Sequence, residues 1–298
     1  MSDESTNRKV KDSVFVDLFG KDKTAPENFL SLYNALHGTN LKIEETELVP
    51  EMIDSVMYMT YANDVAMRVN GRIVVLIEHQ STVNENMPLR LLDYVTRIYD
   101  RIIPGRDKFK RKMIKIPLPE FFVLYNGTED VPAVSEKRLS DAFEREDGDN
   151  TPPALELVVK IYNINAGKGD DLLQKCSVLK QYTELIDLLR YSKQRAEDEN
   201  RAEPFTWAVR EAAKRGILSE YLERKAAEVI NMFSMEYDYD ADIAVQRDEA
   251  MQLGLQRGLA SSIKNLVRNL KMSVTQAMDA LGIPQEARPQ YTALLKQI

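Results

Sequence analysis

Asn63-Asp64-Val65-Ala66-Met67-Arg68-Val69-Asn70-Gly71-Arg72-Ile73-Val74-Val75-Leu76-Ile77-Glu78-His79-Gln80 is the stretch whose reading decides the fold. Val65, Met67 and Val69 alternate with smaller or polar residues, which is the period of a strand. Asn70-Gly71 supplies a turn, and the β-branched run Ile73 to Ile77 reads as a second strand buried on both faces. The stretch is therefore a β-hairpin, and its second strand needs cover on each side. Downstream, Pro88 opens a helix with Leu89, Leu92, Val95, Tyr99 and Ile102 along one side. Phe121 to Tyr125, closed by Asn126-Gly127, and Leu155 to Tyr162 are further short strands. Upstream, Phe15, Leu18 and Phe19 and then, after Pro26, Phe29, Leu32, Tyr33 and Leu36 fall at helical spacing. Strands interleaved with helices define an α/β class with a mixed sheet.

After Asp171 the strand signals stop. Leu172, Leu173, Cys176, Leu179, Tyr182, Leu185, Leu188 and Leu189 predict one long amphipathic helix, and the charged stretch 192–203 is a linker or a helix end. Helical text resumes at Pro204 and runs to about Asn231, then from about Ile243 to Leu270, with Ser273 capping a short helix closed by Gly282 and Pro284. The expected division is an α/β domain over 8–190, a helical region over 204–270 and a small helical tail over 271–298.

The 298 residues are 44% hydrophobic and 29% charged, enough to bury a core and too apolar for disorder as the main state. No run of 18 apolar residues occurs and the N-terminus is polar, so a cytoplasmic protein without membrane contact is expected. One cysteine, Cys176, and two histidines, His37 and His79, exclude disulfide scaffolds and a zinc site. Cys176 reads as a small packed hydrophobe. The net charge of −7 argues against binding nucleic acid by bulk charge. Charge is uneven, however: Arg101 to Lys115 holds seven cations against Asp107 alone. This run, Lys110-Arg111-Lys112 above all, is either solvated surface or a grip on phosphates beside the candidate site.

Asp64 and Glu78, on neighbouring strands, are the constellation with chemical content. Magnesium takes hard oxygen ligands, usually one or two carboxylates plus water and substrate phosphate. The plain alternative is two acids marking where strands emerge into solvent. Register decides between geometries. A two-residue turn at Asn70-Gly71 pairs Val69 with Arg72, sets Asn63 opposite Glu78 and turns Asp64 to the other side of the sheet, where the two acids could not chelate. A three-residue loop with Gly71 in a bulge puts Asp64 on the face of Leu76 and Glu78. A metal site therefore predicts the odd loop or an equivalent bulge.

Asp12-Ser13-Val14-Phe15, Asn63-Asp64, Ile77-Glu78-His79-Gln80-Ser81, Pro88-Leu89-Arg90-Leu91-Leu92-Asp93-Tyr94, Tyr125-Asn126-Gly127, Gly216-Ile217-Leu218, Glu228 to Met232 and Glu236 to Tyr239 together resemble the bacterial recombination-promoting nuclease and putative transposase family, a branch of the PD-(D/E)XK nuclease superfamily. The resemblance spans about Asp12 to Gly258. It implies a restriction-endonuclease-like core, a mixed sheet flanked by helices, followed by a helical C-terminal region. It implies Asp64 and Glu78 as metal carboxylates, the backbone carbonyl of His79 as a further ligand, and Gln80 in the place of the superfamily's Lys. An amide still donates a hydrogen bond to water or phosphate but brings no charge to the transition state. Asn63 stands where the superfamily has Pro. Its cofactor would be magnesium, or manganese in its place, and its substrate DNA.

Around this set, Arg90 and Tyr94 lie one helical turn apart and could orient Glu78 or a phosphate, or simply pack. His79 alternates away from Glu78 and Gln80 and reads as structural. Asp12 and Asp17 are candidates for an extra acid. Asp238, Asp240 and Asp242 mimic part of a calcium loop, but Ile243 stands where its sharp-turn Gly belongs. Gly254-Leu255-Gln256-Arg257-Gly258 reads as close helix packing, with a homodimer through the C-terminal helices as one outcome. Residues 273–298 resemble a helix-turn-helix fragment with only Arg288 and Lys296 to meet DNA. The reading is a magnesium-dependent DNA endonuclease serving recombination, mobility or defence; the alternative is a catalytically silent DNA-binding or dimeric regulatory module on the same fold.

Overall fold

The computed structural model describes residues 13–51, 64–79, 84–146, 148, 151–199 and 204–295, with the backbone alone described at 77–79, 197–199, 236–250, 252–253, 257 and 293. It divides into two compact units, one ending at Ser234 and one from Met235 to Ile298.

The first unit is built on a six-stranded sheet. Its strands are β1 (Leu48–Pro50), β2 (Asp64–Val69), β3 (Arg72–His79), β4 (Leu118–Tyr125), β5 (Val134–Arg138) and β6 (Val158–Asn163), in the order β1-β2-β3-β4-β6-β5. The pairs β1–β2, β2–β3 and β5–β6 are antiparallel, while β3–β4 and β4–β6 are parallel. The hairpin is thus the antiparallel half of a mixed sheet, and Ile73, Val74, Val75 and Leu76 of β3 are at most 1% exposed. Burial on both faces explains why this strand is a continuous apolar run rather than an alternating one.

One face carries α3 (Met87–Ile102), which returns from the end of β3 to the start of β4 as a parallel connection requires. Its buried side is Leu91, Tyr94, Val95 and Ile98, whereas Leu89 is 54% exposed. The stripe therefore sits nearly one position round the helix from the expected one. The other face is covered by α1 (Val14–Val16) and a π-helical turn (Asp17–Lys21), α2 (Ala25–His37), α4 (Asp170–Lys175), α5 (Ser177–Glu199), α6 (Pro204–Lys214) and the first part of α7 (Ser219–Leu270).

Several boundaries differ from expectation. The single helix over 172–189 is two, broken at Cys176, whose fully buried thiol is pushed up by burial. The stretch after Ser192 continues α5 to Glu199. No division falls between 190 and 204: Ala208, Val209 and Ala212 of α6 share one core with Leu185 and Leu189 of α5, and the break comes after Ser234. β1 and β5 carry no sequence signal, since Leu48–Pro50 is too short and Val134–Arg138 is a charged edge strand.

The N-terminal turn is fastened to α7 by charge. Asp17 accepts the Tyr221 hydroxyl at 2.7 Å and Lys225 Nζ at 2.9 Å from both of its oxygens. Asp22 takes Arg224 Nη1 at 2.8 Å and Nη2 at 2.9 Å, and this bidentate guanidinium holds its carboxyl well below the usual range. Asp17 is consequently a structural acid, not a spare one.

In the second unit the rest of α7 packs with α8 (Val274–Ala280) and α9 (Arg288–Leu295) around Ala260, Ile263, Met278, Ile283 and Tyr291. Ser273 and Gln276 form the capping box expected of that N-terminus, and Gly282, at φ +67°, closes the helix. The acidic 238–249 segment is helical, which excludes a calcium loop. Arg288 is paired with Asp279 at 2.5 Å, leaving the tail with still less charge for DNA.

Candidate functional site

The hairpin turn fixes the geometry. Asn70 and Gly71 both have positive φ, 46° and 79°, the two left-handed residues of a type I′ turn. Such a turn admits two residues only, so Val69 pairs with Arg72 and Asp64 with Ile77. This overturns the odd loop expected for a metal site: the register is the two-residue one, and no bulge interrupts β2 or β3. Asp64 shares its face with Ala66 and Val75, under α3, and Glu78 occupies the alternate register position.

Asp64 is 5% exposed, and its Oδ2 is buried with no hydrogen-bond partner among the described residues. Burial pushes its carboxyl up to about 7, with the Arg90 guanidinium pulling the other way. Arg90 lies partly buried in the first turns of α3, and Tyr94 is fully buried one turn on. The expected pair thus does lie on one helix, with Arg90 acting on Asp64. Asn63, Gln80 and Asp12 lie outside the described residues, and so do the side chains of Glu78 and His79. Among the described residues no cluster of three or more His, Cys, Asp or Glu could hold a metal.

Three polar residues of this region were not foreseen. Asn126 follows β4, one position beyond the Tyr125–His79 pair; it is fully buried, and among the described residues neither its Oδ1 nor its Nδ2 has a partner. Its backbone carbonyl is gripped by Arg190, whose other nitrogen reaches Asn165 Oδ1 at 3.2 Å. Asn165 in turn donates to the Gly127 carbonyl at 2.9 Å. A Cβ at Gly127 would lie 2.4 Å from the Tyr125 hydroxyl, so any larger residue there would have to displace this fully buried ring. The signal was present in Tyr125-Asn126-Gly127: an amide ending an apolar strand is a buried polar group in need of a reason. The others are Glu51, 4% exposed, and Arg68, which pairs with it at 3.5 Å; Arg101 adds a bond to Glu51 at 2.5 Å.

The basic run does not flank Asp64. Leu118 pairs with Arg72, so the loop before β4 meets the sheet at its turn end, five residues of strand, roughly 17 Å, from the Asp64 rung. A cleft of about 520 Å³ lined by Glu47, Arg68, Ile102, Pro104, Lys115 and Pro117 lies at the base of this loop.

Fold and site define an α/β protein with a mixed sheet flanked by helices, a helical C-terminal region and two orphaned polar side chains at one end of the sheet. Residues 11–242 match the family described as "Putative transposase, YhgA-like", and the chain belongs to that family. No curated protein and no solved structure matches it. Among the described residues no helix is long and apolar enough to cross a membrane.

Proposed function

We propose that this protein is a magnesium-dependent DNA endonuclease of the PD-(D/E)XK type, acting in DNA mobility, recombination or defence. The observation that carries the reading is the buried, unpartnered Oδ2 of Asp64. A carboxylate held out of water without a donor costs stability unless a cation or a proton meets it, and a hard divalent ion is the natural partner of such an oxygen. Asp64 fits that ion by its chemistry and its orphaned atom. The His79 carbonyl would be a further ligand, whereas Glu78, at the alternate register position, could not share that ion with Asp64. When bound, the metal supplies a water acidic enough to attack a phosphodiester and neutralises charge on the scissile phosphate. Gln80 would orient that water or a phosphate oxygen, Arg90 would keep Asp64 ionised, and Asn126 would offer its unpaired amide at the same end of the sheet.

The family's description supports a DNA-directed role and leaves the chemistry to be tested. A second reading, a catalytically silent module that grips DNA, is favoured by the type I′ register, because Asp64 and position 78 alternate across the sheet. Nicking of supercoiled plasmid by the full chain, with magnesium against chelator, separates them. Magnesium-dependent nicking abolished by Asp64→Asn supports the enzyme; equal nicking by parent and variant removes Asp64 from the site; none by the parent selects the binding module.

A further inference from the structure

The loop over 103–117, between α3 and β4, departs from an ordinary solvated surface in two ways. Phe109 is 89% exposed, Met113 79%, Ile116 50% and Leu118, which opens β4, 54%. Single exposed apolar residues are normal, but four within ten positions concentrate apolar surface in water on one loop. Interleaved with them are Arg106, Lys108, Lys110, Arg111, Lys112 and Lys115 against Asp107 alone. Lys108 is paired with Asp100, and Lys110 with Asp107 at 2.7 Å. Arg106, Arg111, Lys112 and Lys115 have no acidic partner among the described residues.

The loop is not a loose strap. Tyr99 donates its hydroxyl to the Pro117 carbonyl at 2.7 Å, Leu118 N bonds the Gly71 carbonyl at 3.2 Å, and Gly105–Phe109 forms a 3-10 turn. The base is pinned to the sheet, and Phe109 and Met113 are presented from it.

We infer that this loop is a DNA-deforming wedge: Phe109 and Met113 enter a duplex groove and part a base step, while Arg111 and Lys112, with Lys110, hold the flanking phosphates. The inference rests on the reading of the protein as DNA-acting and extends it from a charge patch to a mode of binding. Apolar side chains pressed between base steps, flanked by phosphate-gripping cations, are how proteins kink duplexes, by roughly 20–90°. A chain of net charge −7 must gather its cations where the polyanion lies, and this is the run where they are gathered. An anionic membrane surface would attract the same charges, but interfacial binding draws on an amphipathic helix, and the loop offers one 3-10 turn of five residues.

The test is binding of the full chain to a short duplex in chelator, so that cleavage plays no part. Anisotropy gives affinity against salt, end-to-end energy transfer gives bending, and 2-aminopurine in the duplex reports unstacking. The parent should bind, bend and unstack. Phe109→Ala with Met113→Ala should weaken binding about 10- to 100-fold and abolish both optical signals while keeping the salt slope. Lys110→Ala, Arg111→Ala and Lys112→Ala together should flatten that slope by about 2–3. Both variants alter exposed residues, and an unchanged melting temperature verifies folding. If the apolar variant binds and bends like the parent, the wedge is wrong and the DNA-acting reading stands. If the parent binds vesicles rich in anionic lipid and no duplex, or binds neither, both fall.

Discussion

Glu51 and Asp64 are two buried acids on one face of the same sheet, 4% and 5% exposed, and the protein treats them in opposite ways. Glu51 receives Arg101 from α3 and Arg68 from β2. Asp64 has Arg90 of the same helix within electrostatic reach, yet its Oδ2 takes no hydrogen bond among the described residues. The fold can plainly deliver arginines from α3 to a buried carboxylate, so the bare oxygen at Asp64 is not a failure of supply. An unmet buried acceptor costs about 1–3 kcal/mol. A proton on the raised carboxyl would relieve part of that cost, and so would the cation proposed for the site.

The strongest way to break the comparison is catalytic. Asp64→Asn should lower magnesium-dependent cleavage about a thousandfold or more, with circular dichroism unchanged, while Glu51→Gln should leave cleavage within about tenfold. Equal losses from the two substitutions would mean that Asp64 is structural like its neighbour.

The next effect is on stability against pH. The folded carboxyl of Asp64 lies at about 7 against 3.8 when unfolded. The native state therefore holds this proton more tightly, and its contribution is fully present below pH 4 and lost as pH rises through 7. Above that, Asp64→Asn should be more stable than the parent by on the order of 4 kcal/mol in urea unfolding. Magnesium at pH 8 should raise the parent's melting temperature and leave the variant's alone. A parent whose stability is flat from pH 4 to 8 would place Asp64 in water.

Glu51→Gln tests the paired side. It should cost about 1–3 kcal/mol, below the full value of a buried pair because Arg68 and Arg101 are themselves 31% and 46% exposed. The smallest expected change sharpens the contrast. Arg90→Ala should move the pH of the Asp64-dependent stability loss upward, since its charge pulls that carboxyl down against the effect of burial.

The hairpin, the helix after Pro88, strands β4 and β6 and the Ser273 cap were legible because each repeats a local rule: period, turn chemistry or capping. The register was legible too. Asn70-Gly71 is the type I′ pair, and the odd loop was expected only because chelation demanded it; the turn's own chemistry decided otherwise. The basic run was misplaced for a topological reason. Sequence sets it soon after Glu78, but the parallel step from β3 to β4 carries it back along α3 to the opposite end of the strands. Glu51 and Asn126 were missed because their significance lies in what surrounds them across the sheet, where no spacing rule reaches. That α6 shares a core with α5 was not legible, because its apolar residues follow a charged segment that reads as a linker.

The clasp between the N-terminal turn and α7 sets a clock on biosynthesis. Asp17 meets Tyr221 across 204 residues of chain. At about 5–20 residues per second on the ribosome, the first turn waits roughly 10–40 s for its partner to be made. Until Tyr221, Arg224 and Lys225 emerge, Asp17 and Asp22 have lost the cations that fasten them, and Phe15, Leu18 and Phe19 lack the α7 portion of their cover. A nascent chain halted near residue 190 therefore exposes an incomplete core to chaperones and proteases, and the unit matures only when its last helix begins to form.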